Sequence, residues 1–364
     1  MNFRKTLFYL LILFPIFGYG QFIQSSVNVS RTLAIHPDFP VIKSNKPSFN
    51  LTYVLKAKGK KSYWPQIYNY PSIYFSLDYQ SAGTAVLGDL IGIGPFVGIP
   101  ISNHKKESVT LVTGLGLGIA TNPFNKITNP SNIVIGSTFS IYAKASLQYR
   151  IALTDHIDFL SNISIHHYSN GNFVSPNIGA NLLATGIGLG IKLSNEQVEI
   201  KPHQLDSLFK FSTGPLKPFL RLGLGLKEQG IDGPKYPIYV LGLGIKKRTS
   251  RKDIFITGFE YLINYADVRF LKSTFGFEGE EIQKASRLLA FVGHEFVYKH
   301  FSFITELGYY FTDHYDKRSS FSSKLGLAFN LNKPHAISNL QTGFYVRAKL
   351  LEAEFLEWNI SFSF

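Results

Sequence analysis

The chain of 364 residues contains no cysteine. That excludes disulfides and thiolate metal sites, and it leaves stability to an extensive hydrogen-bonded ladder or core. It also lacks an uninterrupted apolar run of the about 20 residues that a membrane-spanning helix needs. The one apolar run, Leu7 to Phe17, is too short; it follows Arg4 and Lys5 and precedes Gly18, Gly20 and Gln21, the layout of a secretory signal over residues 1–20. Export without a helical anchor is therefore expected. Acidic residues are scarce as well: 24 Asp and Glu stand against 37 Lys and Arg, a formal charge of +13, or +11 once Arg4 and Lys5 leave with the signal. The balance favours anionic partners. With no recognisable nucleic-acid module, nucleic acid is not expected among them, whereas phosphorylated lipid at a cell surface fits both charge and export.

Helix-period segments are scarce too. In their place stand aromatic residues (32 Phe and 20 Tyr) and period-two alternation nearly throughout. Phe139, Ile141, Ala143, Ala145, Leu147 and Tyr149 share one face, with Ser140, Tyr142, Lys144, Ser146, Gln148 and Arg150 opposite. Near the end, Leu356, Trp358, Ile360, Phe362 and Phe364 oppose Glu357, Asn359, Ser361 and Ser363, as in an outer-membrane insertion signal. Apolar outside and polar inside predicts an all-β, antiparallel transmembrane β-barrel of about 14–16 strands, an even number, with a duplicated eight-strand unit as one form. Short turns such as Leu153 to His156 and Tyr298 to His300 alternate with longer stretches, Asn122 to Gly136 and Val268 to Lys284, matching short periplasmic and long external connections. Residues 194–215 break the pattern and read as a linker or periplasmic turn between a first half, 21–193, and a second, 216–364. Alternation leaves open whether the halves form one barrel or two. Asp313-His314-Tyr315-Asp316 after Phe301 to Phe311 echoes the earlier His166-His167-Tyr168-Ser169, without its serine.

Strand periodicity puts Ile157, Phe159, Ser161, Ile163, Ile165, His167 and Ser169 on one, lipid-facing side. A histidine and a serine at i and i+2 suit a general base beside a nucleophile. Past the loop Gly171 to Pro176, the following strand carries Asn177, Gly179, Asn181, Leu183, Ile187, Leu189 and Ile191 on the matching face. Hairpin pairing brings Asn177 near Ser169 and Asn181 near His167, so Asn181 is the candidate orienter of the imidazole. Asn177, or backbone N–H groups near Asn170 and Gly171, are candidates to receive an oxyanion. The alternative is that these polar groups only mark the strand's exit into an external loop. Adjacent His166 and His167 lie on opposite faces, so no metal site is expected. The runs Gly114 to Gly118, Gly186 to Gly190, Gly223 to Gly225 and Gly242 to Gly244 read as strands whose inward side needs little volume. Lys246, Lys247, Arg248, Arg251 and Lys252 read as a basic solvated turn, and Trp64, Tyr68, Tyr70 and Trp358 as interfacial aromatics.

His167-x-Ser169-Asn170 with Pro176-Asn177-x-Gly179-x-Asn181, preceded by Asn129-Pro130-Ser131-Asn132 and Ile135-Gly136-Ser137, resembles the active-site region of the outer-membrane lipid A deacylases (PagL-like), which include exported barrels called acyloxyacyl hydrolases. The likeness runs from about Tyr70 to Leu193, making 21–193 the deacylase-like half. It implies hydrolysis of an ester-linked acyl chain on lipid A of lipopolysaccharide in the outer membrane, with His167 as base and Ser169 as nucleophile. Some members carry Glu where this chain has Asn181. The His-x-Ser-Asn-Gly segment is also similar to outer-membrane phospholipase A, which uses Asn as orienter and implies a calcium-dependent dimer. That family has Arg after the Gly, where this chain has Asn172. Cofactors are expected to be none, calcium entering only under the phospholipase reading. A non-enzymatic porin or adhesin is the competing class.

Overall fold

A computed structural model describes residues 22–33, 45–56, 64–104, 106–193, 213–274, 276–313, 319–331, 340–349 and 352–364. Among them the alternating segments form β1 (Phe22–Leu33), β2 (Lys46–Lys56), β3 (Ser72–Ser81), β4 (Asp89–Asn103), β5 (Glu107–Ala120), β6 (Phe139–Ala152), β7 (Ile157–Ser169) and β8 (Ala180–Lys192). A second series follows: β9 (Leu216–Glu228), β10 (Lys235–Arg248), β11 (Asp253–Asn264), β12 (Ser286–Tyr298), β13 (Phe301–Thr312), β14 (Phe321–Asn330), β15 (Leu340–Lys349) and β16 (Glu352–Ser363). Short helices α1 (Trp64–Ile67), α2 (Tyr265–Lys272) and α3 (Glu281–Ala285) sit in connections. All pairings are antiparallel, and the ladder closes twice, β1 on β8 and β9 on β16. The question of one barrel or two is answered by two closed barrels of eight strands each.

Closure explains how such a chain can live in lipid: every ladder group finds a partner and no edge remains. No helix among the described residues is long and apolar enough to cross a membrane. The strands, 10 to 15 residues long, are sufficient. On β7 the expected alternation holds, with Asp158, Leu160, Ser164, His166 and Tyr168 buried while Ile157, Ile163 and Ile165 are exposed on the outer wall.

Eight strands leave a bore just wide enough for side chains. In the first barrel it holds Lys144 on Asp78 at 2.9 Å, and His166 between Tyr142 (2.6 Å) and Ser164 (2.7 Å). A small polar cavity of about 30 Å³ remains beside them, lined by Ser26, Asn50, Asp78 and His166 among others. Inward glycines make room for rings: a Cβ at Gly92 would fall 2.2 Å from Tyr142, and one at Gly118 2.8 Å from Tyr168. The Gly-x-Gly strands thus do what their small inward volume suggested.

The second bore is filled by an ion-pair network. Arg221 meets Glu260 at 2.8 Å and Glu306 at 2.7 Å, Lys324 meets Glu260 at 2.7 Å and Glu357 at 3.0 Å, and Arg347 bridges Glu260 and Glu357. Three cations and three carboxylates compensate one another, the condition under which buried charge is tolerated.

Three sequence expectations need correction. Lys246 and Arg248 are not in a solvated turn: β10 continues to Arg248, so alternation carries both inward, Lys246 to Gln341 at 3.2 Å and Arg248 to the Ser250 carbonyl at 3.1 Å. Trp64 and Tyr68 are not girdle residues. Trp64 is buried beside Tyr298, and the Tyr68 hydroxyl donates to the Val297 carbonyl at 2.7 Å, docking the β2–β3 connection of one barrel on the other. Trp358 does face outward. The stretch from Val268 to Lys284 is partly helical, because Asn264 caps α2 by accepting from the Ala266 and Asp267 N–H groups. Residues 1–20, most of 194–215 and the echo at His314 to Asp316 lie outside the described residues.

Candidate active site

Strands β7 and β8 pair with His167 opposite Asn181 and Tyr168 opposite Ala180. On the other side His167 faces Ala143 of β6, so the imidazole stands on the outer wall between a small residue and an amide. Its Nδ1 lies 2.8 Å from Asn181 Oδ1. Since an amide oxygen only accepts, Nδ1 carries the proton and Nε2 keeps its lone pair free.

Ser169 ends β7 and is buried. Its Oγ accepts twice, from the Gly171 N–H at 3.1 Å and from the Asn177 amide at 2.8 Å. The hydroxyl proton is left for a further partner. Asn177 is fixed in turn, its Oδ1 accepting the Asn170 N–H at 3.1 Å. Among the described residues no hydrogen bond joins Ser169 to His167. What separates them is a gap at Gly179, whose φ of +85° favours glycine. A Cβ there would stand 3.2 Å from His167 Cε1 and 3.5 Å from Ser169 Cβ. Imidazole and serine therefore border one small opening.

Two placements differ from the strand pattern. β8 begins at Ala180, after the turn at Gly179, so Asn177 is buried under the hairpin loop and does not continue the lipid-facing row. Asn170 is wholly engaged: besides its N–H, its side-chain amide donates to Ser137 Oγ at 3.0 Å and to the Val174 carbonyl at 2.9 Å. It pins the loop, and the donors aimed at Ser169 are Gly171 N–H and Asn177 Nδ2.

The β5–β6 loop supports this hairpin. Asn132 Oδ1 accepts from the Val134 and Ile135 N–H groups at 3.1 Å, and Asn129 Nδ2 donates to the Asn122 carbonyl at 3.0 Å, which folds the loop back on itself. So shaped, it presents the Val134 carbonyl to the Gly179 N–H at 3.0 Å. Gly136 must be small, since a Cβ would fall 2.4 Å from the Pro176 carbonyl. Behind the wall Tyr168 stacks on Tyr142 with ring centroids 4.7 Å apart. Sequence reasoning missed Glu228, a buried carboxylate of the second barrel that accepts from the Ser175 N–H. Nothing local in the sequence marks it, because the two residues are 53 positions apart.

Residues 49–190 match the family model described as lipid A 3-O-deacylase (PagL), and residues 218–364 match the one described as acyloxyacyl hydrolase, C-terminal domain. The chain belongs to the lipid A 3-O-deacylase family. The deacylase carries its candidate hairpin in the first matched region, and the second region coincides with the second barrel. It is an outer-membrane β-barrel hydrolase, a lipid A deacylase. Among solved structures it is similar to Neisserial surface protein A (12% identity, 47% of this chain and 96% of that one, TM-score 0.32). It is also similar to Ail of Yersinia pestis (16%, 48% and 99%, TM-score 0.25) and to a Rh. blastica porin mutant (6%, 95% and 99%, TM-score 0.17). No curated protein matches the chain.

Proposed function

We propose that the deacylase is a serine esterase that removes an ester-linked acyl chain from lipid A, the 3-O chain of the family's description, at the external rim of its outer wall. The observation that carries this reading is the oriented pair: His167 held through Nδ1 by Asn181, and Ser169 Oγ held by two donors across the opening at Gly179. Ser169 Oγ attacks the acyl carbonyl carbon while its proton passes to His167 Nε2. In this reading Gly171 N–H and Asn177 Nδ2, which rest on Ser169 Oγ before attack, turn to the carbonyl oxygen as negative charge develops on it. Collapse breaks the bond to the sugar oxygen, which takes the proton from His167. Water, deprotonated by His167, then cleaves the acyl-serine ester, releasing a fatty acid and restoring the hydroxyl.

Substrate access suits the position, since Ile165 and Leu183, the cross-strand pair two residues along the ladder from His167 and Asn181, are both exposed on the outer wall where acyl chains lie. Orientation follows from the connections, the site lying at the end that carries the longer loops, the external end of such barrels. The test is mass spectrometry of lipid A from cells expressing the parent or Ser169→Ala protein. Loss of one acyl chain with the parent alone is expected; identical acylation in the two would remove the proposed nucleophile.

A further inference from the structure

The hairpin that carries Ser169 is held from two sides, and one of them is the other barrel. Asn170, Asn177 and Gly179 bond within the first barrel, as described above. Residues between them reach across. The Asn172 carbonyl accepts from the Glu228 N–H at 3.4 Å, and its side-chain amide donates to the Ala353 carbonyl. The Ser175 N–H donates to the Glu228 carboxylate, whose other oxygen lies 3.8 Å from Lys235 Nζ. Lys235 itself stands 4.8 Å above the Phe173 ring, and a Cβ on Gly171 would fall 2.6 Å from Leu356 Cγ. Glu228 ends β9 and Leu356 lies in β16, strands that pair with each other through Leu226 and Leu356. The hairpin therefore leans on a rigid ladder.

We propose that the second barrel is a brace that sets the pose of the catalytic hairpin, with Glu228 as a positioning residue for Ser169; this rests on the reading of Ser169 as nucleophile. Gly171 and Asn177, the two donors to Ser169 Oγ, flank the segment that Glu228 and Ala353 hold. An unbraced ten-residue connection would sample many poses, whereas donors to a developing oxyanion must be fixed beforehand. A buried carboxylate is the strongest acceptor a backbone N–H can find, and Glu228 places it at Ser175, where the first barrel offers the loop no bond of its own among those described. The second barrel, whose own bore is filled by ion pairs, thereby acquires a role in catalysis without touching substrate.

The test uses the full chain folded in lipid vesicles, with folding scored by heat-modifiable migration. Glu228→Ala and Asn172→Gly, the latter compatible with the positive φ of 59° at that position, remove the brace from its two ends. Expected for both is a fall in kcat for lipid A of about 10–100-fold, with KM little changed and slower labelling of Ser169 by a fluorophosphonate. Glu228→Gln, which keeps an acceptor oxygen, restores most of the rate. A merely structural role would lower the folded fraction and leave kcat per folded molecule unchanged, and that result in either variant overturns the proposal; should Glu228→Ala not fold, Asn172→Gly decides. Ser169→Ala run alongside separates the two readings. If it stays active the nucleophile assignment fails, whereas an inactive Ser169→Ala beside fully active brace variants refutes the brace alone.

Discussion

His167 and Asn181 face each other across the β7–β8 ladder with Nδ1 and Oδ1 2.8 Å apart. The bond does two things at once: it selects the tautomer that leaves Nε2 basic, and it stops the ring from turning about χ2 toward lipid. A carboxylate would add charge stabilisation of the imidazolium, which an amide cannot supply.

Asn181→Ala removes the acceptor and frees the ring, so deacylation is expected to fall by about 10–100-fold, the usual effect of losing a supporting partner. Asn181→Glu again presents an oxygen to Nδ1 and is expected to retain activity. Release of fatty acid from purified lipid A measures both. An Asn181→Ala protein as fast as the parent would show that the amide has no part in orienting His167.

Gly179→Ala places a methyl group 3.2 Å from His167 Cε1 and 3.5 Å from Ser169 Cβ, in a backbone conformation that alanine resists. Proton transfer between the two side chains should then be obstructed. The expected outcome is a folded barrel with activity reduced by on the order of 100-fold, read from fluorophosphonate labelling of Ser169 and lipid A turnover together. Normal labelling would mean that the opening at Gly179 is not where the two residues meet.

Glu260 contacts three cations in the second barrel, Arg221, Lys324 and Arg347. Glu260→Ala leaves one of the three buried positive charges uncompensated, since only Glu306 and Glu357 remain to pair with them, and a destabilisation of about 3–5 kcal/mol is expected. Urea titration of the vesicle-folded protein reads it as an earlier midpoint. An unchanged midpoint would show that water enters the bore freely.

Burial, reinforced by the nearby Asp253 carboxylate, raises the Tyr68 phenol above its ordinary value of 10.0. A raised acid favours the folded, protonated form, so its contribution is complete below pH 10 and is lost as pH rises further. An ionised Tyr68 can no longer donate to the Val297 carbonyl. Proteolysis of the segment from Trp64 to Tyr70 should therefore accelerate above pH 10, and in Tyr68→Phe the pH dependence should disappear. Equal cleavage of the parent at pH 8 and pH 11 would contradict this.

Much of this was legible in the chain itself. Period-two alternation fixed which face of β7 and β8 meets lipid, and hence that His167 and Asn181 share a wall; hairpin spacing alone brought them opposite each other. The glycine strands were legible because small inward residues have one reading in an eight-stranded bore. The short helix α2 was not, since its signal lies in one capping residue, Asn264, amid a polar stretch.

Alternation along a strand says which way each residue points and what it can do chemically, because that depends only on the local pleat. Whether β8 closes on β1 or continues into β9 depends on hydrogen bonds between segments 148 to 170 residues apart, and the same alternating pattern satisfies either. Tertiary structure alone chose two barrels, buried Asn177 beneath the loop, opened the gap at Gly179 and set Glu228 against Ser175. Each of those is a contact between elements, and a contact between elements exists only once the ladders have closed.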